Sequence, residues 1–212
     1  MILNRLIQLL AILPHGIDTL DRRRLINKPL ARNAIRIWNN NFEDPKTIID
    51  IGANDSQFAH WLSKEWPMAD VISFEPNKFC QPIGKVMRYA IDEHDGEAWF
   101  SHKGENSHID DNGTWRVQKR RLDNFITMFD APHLLKVDAE THTLAALRGA
   151  TWTLRQTSMV VVELCSDDHD IKSFRGQIVP ILNLLSEMFE HCELDAVPRD
   201  GKCLVANAIF WK

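Results

Sequence analysis

Little in this chain would staple or anchor it. The four cysteines, Cys80, Cys165, Cys192 and Cys203, form no CxxC pair and no regular spacing. That argues against a disulfide framework or a zinc knuckle and for reduced thiols in a cytoplasmic setting. An excess of positive charge is also missing: 25 Lys and Arg stand against 29 Asp and Glu, a formal net charge of -4. The electrostatic footprint of a nucleic-acid binder is therefore absent, and no nucleic-acid partner is expected. No repeat, low-complexity tract or Gly/Ser-rich linker divides the 212 residues, so one globular unit of ordinary size is the expectation.

Long apolar runs are lacking too. The stretch from Leu6 to Leu13 resembles a signal-peptide core, yet it has no small-x-small cleavage site and is too short to span a bilayer. Leu3, Ile7, Leu10 and Leu13 share one helical face, opposite Asn4, Gln8 and Ala11, which is an amphipathic pattern. Residues 1–40 are expected to form a helical extension packed on the core or on a second copy in a homodimer. Weak contact with a membrane surface is the alternative. The run "DRRR" from Asp21 to Arg24 would suit anionic lipid, although such runs are usually solvated faces. Residues 41–212 would form the ligand-binding domain.

What is present is an alternation of short apolar runs and helical patterns. "TIIDI" (47–51), "DVISFE" (70–75), "HLLKVD" (133–138) and "SMVVVEL" (158–164) read as strands. Helices are expected over 56–65, 141–149 and 174–191. Apolar strands alternating with helices indicate an α/β fold with a parallel sheet covered on both faces. "RYAID" (88–92), turned by Asp95-Gly96 into "EAWFS" (97–101), reads as a hairpin. At the end of the chain, "CELDAV" and "CLVANAIFW" flank the tight turn "PRDGK" (198–202) and must pair antiparallel. A dinucleotide dehydrogenase would continue in parallel crossovers or a second domain instead.

Ligands in such sheets sit beyond the carboxyl ends of the strands. Asp50, Glu75, Asp138 and Glu163 all fall at strand ends or just after them. In "IIDIGANDSQF" (48–58) the single glycine, Gly52, permits a sharp turn and close backbone approach. A pyrophosphate would want a glycine-rich nest or a lysine. This loop offers Asp50 and Asp55 and neither Lys nor Arg, which suits a cationic ligand. Glu75 is placed to accept hydrogen bonds from ribose hydroxyls. S-adenosylmethionine supplies a sulfonium, an ammonium and a ribose together. The competing reading is that Asp50 and Glu75 only cap turns.

"IIDIGANDSQF", "VISFEPN", "YAIDEHDGEAWF", "RLDNFI", "LLKVDAETHTLAALRGA" and "MVVVEL", in that order and spacing, resemble the FkbM family of S-adenosylmethionine-dependent methyltransferases. The resemblance covers roughly residues 46–165. It implies a class I (Rossmann-like) three-layer sandwich whose mostly parallel, seven-stranded sheet ends in an antiparallel hairpin. It also implies O-methylation of a hydroxyl on a sugar, glycan or secondary metabolite, so the acceptor would be a small molecule or glycan. By position, Asp50, Gly52, Ala53 and Asn54 would hold the cofactor's amino-acid end, Glu75 the ribose, and Ala90 to Asp92 would border the adenine.

Asp138, His142 and Glu163 are the candidate catalytic bases. Histidine has the most suitable intrinsic pKa, while a lone histidine beginning a helix is often a surface or capping residue. His108 and His169 lie in loops that could cover the site. Lys136 is either an ion-pair partner of these acids or a solvated strand-end lysine. No metal set is assigned, although Asp138 and Glu163 could offer two oxygens to magnesium. Of Trp61, Trp66, Trp99, Trp115 and Trp152, Trp115 is expected to be the exposed one.

Two departures from the family stand out. Ser56 replaces a second glycine and is expected to cap the next helix. Thr141, His142 and Thr143 occupy a "GHE"-like or "GAE"-like triplet, which removes a carboxylate near the acceptor. That loss favours a second reading, a weakly active or non-catalytic cofactor-binding partner. A nucleic-acid or protein methyltransferase is a third, without a basic groove or an "NPPY"-like loop to support it. The short link between "FEPN" and "RYAID" implies a trimmed crossover and an open adenine edge.

Overall fold

A computed structural model describes residues 22–101, 108–131, 133–165, 171–199 and 203–212. The expected amphipathic segment at 3–13, Asp21, His169 and the turn at 200–202 lie outside the described residues. The chain runs α1 (Arg22–Asn41), β1 (Thr47–Ile51), α2 (Gln57–Glu65), β2 (Asp70–Phe74), β3 (Lys85–Met87), β4 (Tyr89–Ile91), β5 (Gly96–Ser101), β6 (His108–Ile109) and β7 (Trp115–Arg120). A 3-10 helix at Leu122–Met128 leads to β8 (His133–Val137), and another at Glu140–His142 leads to α3 (Thr143–Arg148). Then come α4 (Thr151–Gln156), β9 (Met159–Cys165), α5 (Ile171–Ser186), β10 (His191–Arg199) and β11 (Cys203–Trp211).

Seven strands form the main sheet in the order β10-β11-β9-β8-β1-β2-β3. β3, β2, β1, β8 and β9 run parallel, while β11 pairs antiparallel with both β9 and β10. The order reverses at β1, so a crevice opens beyond the carboxyl ends of β1 and β8. This is the mostly parallel sheet with a terminal hairpin that the strand pattern implied.

Period-two alternation divides the apolar residues between two layers. Ile49, Ile51, Ile72, Phe74, Leu135, Val137, Val160 and Val162 pack with Leu147, Leu154 and Leu182 of α3, α4 and α5. Ile48, Leu134, Val161 and Ile209 pack with Leu30, Ala34 and Trp38 of α1 and Phe58 and Leu62 of α2. Each fully buried Leu, Ile or Phe contributes about 1.5–3 kcal/mol relative to exposure. The apolar spacing 30, 34, 37 and 38 explains why α1 lies on the sheet. Among the described residues no helix is long and apolar enough to cross a membrane.

The chain differs from expectation at several points. β4 and β5 do not form a hairpin, because β7 lies between them, parallel to β4 and antiparallel to β5 in a second sheet ordered β4-β7-β5-β6. Asp95 does not close a two-strand turn. Its carboxylate instead accepts from the Arg121 backbone N–H (2.8 Å) and the Asn124 amide (2.9 Å). The helix expected over 141–149 is split by the 3-10 turn and followed by the unforeseen α4, and the one expected over 174–191 is Ile171–Ser186. Trp152, not Trp115, is the most exposed of the five tryptophans considered, at 64%. Between β2 and β3 the crossover contains no helix at all.

Candidate functional site

Strand register builds the site. β1 and β8 pair so that Asp50 lies directly beside Lys136, and β8 and β9 pair so that Lys136 lies beside Val161. One step of two residues further along, Asp138 and Glu163 occupy the same parity and neighbouring strand ends. Ser73 faces Asp50 from β2, and Glu75 follows it by two residues. Four acids and one lysine thus converge at the carboxyl ends of four adjacent strands.

The loop after β1 is held by backbone geometry as much as by side chains. Gly52 adopts φ +68°, and a Cβ there would come within 1.7 Å of the Asp138 carbonyl oxygen. This glycine is required by the passage of the β1 loop against the β8 loop, a reason distinct from close approach to a ligand. The N–H groups of Gly52 and Ala53 both donate to the Phe74 carbonyl oxygen, at 3.0 and 3.3 Å. Asn54 and Ser56 also have positive φ, 49° and 51°, conformations that cost on the order of 1–3 kcal/mol each in non-glycine residues. Glu75 helps to hold them: its carboxylate accepts from the Asn54 N–H (2.8 Å) and the Asn77 N–H (2.7 Å). Arg88 closes the same corner by donating to the carbonyl oxygens of Asn77 (2.7 Å) and Cys80 (3.0 Å).

Ser56 departs from its expected role. It makes no side-chain cap on α2. Its left-handed backbone directs the hydroxyl inward, 3.2 Å from the Ser73 hydroxyl, where it also accepts from the Ile83 N–H at 3.3 Å. Serine therefore ties the start of α2 to β2 in place of a second glycine.

Charge in the crevice is mostly buried. Asp50 is 1% exposed, and neither carboxylate oxygen has a hydrogen-bond partner. Lys136 Nζ lies 3.6 Å from Asp50 Oδ1, an ion pair too long for a hydrogen bond, and 3.0 Å from Asp138 Oδ2. Lys136 is thus the ion-pair partner of both acids and not a solvated strand-end residue. Burial disfavours its ammonium, but Asp138 and Asp50 outweigh that cost and hold it firmly protonated. Burial pushes the Asp50 carboxyl above its ordinary value, with Lys136 opposing and Asp138 adding to the rise. Glu163 is raised much further, by burial, by the charge of Asp138 and by a hydrogen bond to Asp138, with Glu140 adding to it. Glu75 is raised by burial against the pull of its two amide donors.

The remaining candidates divide. His142 does not join Asp138 and Glu163 electrostatically; it is lowered by burial, and the charges that act on it are Asp92, Lys119 and His108. Asp92 pairs with Lys119 at 3.2 Å and accepts from the His94 N–H at 3.1 Å. Ala90 packs with Phe100 and Val117 inside the small sheet, so its side chain serves that sheet and only its backbone is left for a ligand. Thr143 is buried and its hydroxyl donates to the Glu140 carbonyl oxygen at 3.0 Å. Gln177 of α5 donates to the Thr141 carbonyl oxygen at 2.6 Å and accepts from the Leu144 N–H at 3.3 Å, pinning this turn.

Sequence reasoning missed Arg88, Asn77 and Glu140. The Arg88 guanidinium donates to backbone carbonyl oxygens and Asn77 gives Glu75 its backbone N–H, and contacts with backbone groups leave no pattern in the sequence. Glu140 could have been found as the second acid of "KVDAE". Among the described residues no group of three or more His, Cys, Asp or Glu is arranged to hold a metal ion. The arrangement can neutralise a cation and accept hydrogen bonds at Glu75. The oxygens of Asp50, which accept no hydrogen bond, and the acids beside it fit the sulfonium and ammonium of S-adenosylmethionine.

Comparison with known proteins bears on the family and the fold. The family model of the methyltransferase FkbM domain matches residues 50–192. The crystal structure of an FkbM methyltransferase from Methylobacillus flagellatus is 16% identical, with 80% of this chain and 44% of that chain covered and a TM-score of 0.55. WbdD bound to a kinase inhibitor is 12% identical over 99% of this chain and 47% of that chain, TM-score 0.50. A precorrin-6y C5,15-methyltransferase from Geobacter metallireducens is 10% identical over 94% of each chain, TM-score 0.49. At such identities the likeness is one of fold, and the chain spans less than half the length of the first two. No curated protein matches the sequence.

Proposed function

We propose, from the premise that this chain belongs to the methyltransferase FkbM family, that it transfers a methyl group from S-adenosylmethionine to a hydroxyl of a sugar, glycan or secondary metabolite. The observation that carries this reading is Asp50, buried at the strand-order reversal with neither carboxylate oxygen hydrogen-bonded and with further acids beside it. A crevice of that charge favours a cation over a phosphate.

When bound, the cofactor would supply an electrophilic methyl group on a positively charged sulfur. Asp50, with the Gly52–Asn54 turn, would hold its amino-acid end. Glu75, which already accepts two backbone N–H groups, keeps lone pairs for ribose hydroxyls. Ala90 to Asp92 would border the adenine through the backbone. Holding the acceptor oxygen in line with the methyl is worth up to about 7–11 kcal/mol, and a proton acceptor adds about 10²- to 10⁴-fold. Asp138 and Glu163 serve that purpose better than His142, whose electrostatic partners lie toward the small sheet.

Calorimetric titration with S-adenosylmethionine tests the cofactor reading: binding is expected, and Glu75→Ala should weaken it at least tenfold, about 1.4 kcal/mol. Undiminished binding by that variant would overturn the assignment of Glu75. Cofactor turnover against a panel of sugar and metabolite hydroxyls then tests the acceptor class.

The second reading, a cofactor-binding partner with weak or no activity, draws on Thr143. Where the resemblance expects a glutamate, this hydroxyl is buried and bonded to the Glu140 carbonyl. Binding without turnover on any acceptor would favour it.

A further inference from the structure

Positive charge in this acidic chain is concentrated in α1. Its 20 residues include Arg22, Arg23, Arg24, Lys28, Arg32 and Arg36 and no Asp or Glu. The whole chain has a net charge of -4, so the rest of it carries -10. Positions 24, 28, 32 and 36 are four residues apart and share one side of the helix. The buried stripe of Leu30, Ala34, Ile37 and Trp38 lies on the other side, so the basic stripe faces away from the sheet. Arg32 is exposed and Lys28 is half-buried.

α2 continues this stripe. Trp61, half-buried on α2, has the Lys28 ammonium 4.8 Å from its ring centre and the Lys64 ammonium 4.7 Å from it. Two cations from two helices thus flank one indole. The nearby acids are engaged at the margins: Glu193 pairs with Arg36 at 2.6 Å, and Glu65 accepts from the Asn39 amide at 3.3 Å. Among the described residues, no acid pairs with Lys28, Arg32 or Lys64. A helix whose charges serve solubility alone interleaves both signs, and α1 does not.

We propose that this face of α1 and α2 docks on an anionic lipid surface, with Lys28, Arg32 and Lys64 against the headgroups and Trp61 between them at the interface. Each Lys or Arg beside such a surface tightens binding about fivefold. An indole with a lysine on either side suits the boundary where apolar and charged groups meet. The sequence ahead of α1 favours a bilayer over a soluble polyanion, since Leu3, Ile7, Leu10 and Leu13 have the spacing of one apolar helical face. The docking face shares no residue with the acidic crevice, so it is a second surface and does not rest on the cofactor reading.

Co-sedimentation of the full chain with vesicles tests this. Binding is expected to vesicles of phosphatidylcholine and phosphatidylserine in equal parts and not to phosphatidylcholine alone. Salt at about 1 M, where the Debye length falls to about 3 Å, should release the protein. The double variant Lys28→Ala/Arg32→Ala should bind about 25-fold more weakly and Lys64→Ala about fivefold, with S-adenosylmethionine binding and unfolding curves like those of the parent protein. The charge-conserving Lys28→Arg/Arg32→Lys variant should bind vesicles as the parent does. Binding to neither vesicle, equal binding to both, or undiminished binding by the double variant overturns the proposal. Capture by heparin or duplex RNA without vesicle binding overturns it as well, in favour of a soluble polyanion.

Discussion

The two ends of the central strands are built to opposite specifications. At the carboxyl ends stand Asp50, Glu75, Asp138, Glu163 and Lys136, with left-handed backbone at Gly52, Asn54, Ser56 and Glu140. At the amino ends the buried polar groups, Thr47, His133 and Thr157, are neutral and mostly paired. The Thr47 hydroxyl accepts from the Asp130 N–H at 3.0 Å. The Thr157 hydroxyl donates to the Thr153 carbonyl at 2.9 Å and meets His133 Nε2 at 2.9 Å. The same hydrogen-bonded strands carry strain and excess charge at one end and quiet satisfaction at the other. The stable contacts thus lie away from the crevice proposed for the ligand.

The largest expected effect comes from removing the rim's buried cation. Lys136→Met leaves Asp50 and Asp138 without their ion pairs, and denaturant unfolding near pH 7 should register a loss of about 3–5 kcal/mol. A loss below 1 kcal/mol would mean the rim is not held by that charge.

At the other end, Thr157→Val strips His133 of its partner in a fully buried position. A loss of about 1–3 kcal/mol with donor affinity unchanged is expected. Weakened donor binding would show that the two ends are not separable.

pH should tilt them in opposite directions. Burial, the first cause, raises Asp50 above 3.8, so the folded state binds its proton more readily than the unfolded chain. That contribution is complete below 3.8 and is lost as pH rises through the raised folded value. Burial lowers His133 below 6.5, so its contribution is complete above 6.5 and is lost as pH falls through the lowered folded value. Unfolding free energies across pH 4–8 should therefore flatten above 3.8 in Asp50→Asn and below 6.5 in His133→Gln. Identical pH profiles for these variants and the parent protein would contradict the assignment.

The smallest effect belongs to the surface. Arg36 and Glu193 pair at 2.6 Å across α1 and β10 with both side chains substantially exposed. Arg36→Ala should cost no more than about 1 kcal/mol, a scale against which the buried pair of Lys136 can be judged by the same unfolding measurement.

Much of the main sheet was legible because burial on both faces forces continuous apolar strands, and "TIIDI", "HLLKVD" and "SMVVVEL" carry that mark. The four acids were legible for a related reason: a charge ending such a run can only lie at its rim. What escaped depends on contacts distant in sequence. β4 and β5 look like a hairpin until β7, more than a dozen residues later, comes between them. Ser56 looks like a cap until its φ of 51° directs it to Ser73. Gly52 looks like a ligand-facing glycine until the Asp138 carbonyl is found where its Cβ would be. Lys136 could be assigned to neither role until register placed it beside Asp50.

The most direct measurement is a crystal structure of the chain with S-adenosylhomocysteine. The expected placement has the amino group at Asp50, the ribose hydroxyls at Glu75, and the sulfur facing Asp138 and Glu163. Electron density for the ligand elsewhere, or the crevice taken instead by a phosphate-bearing nucleotide in competition, would contradict it.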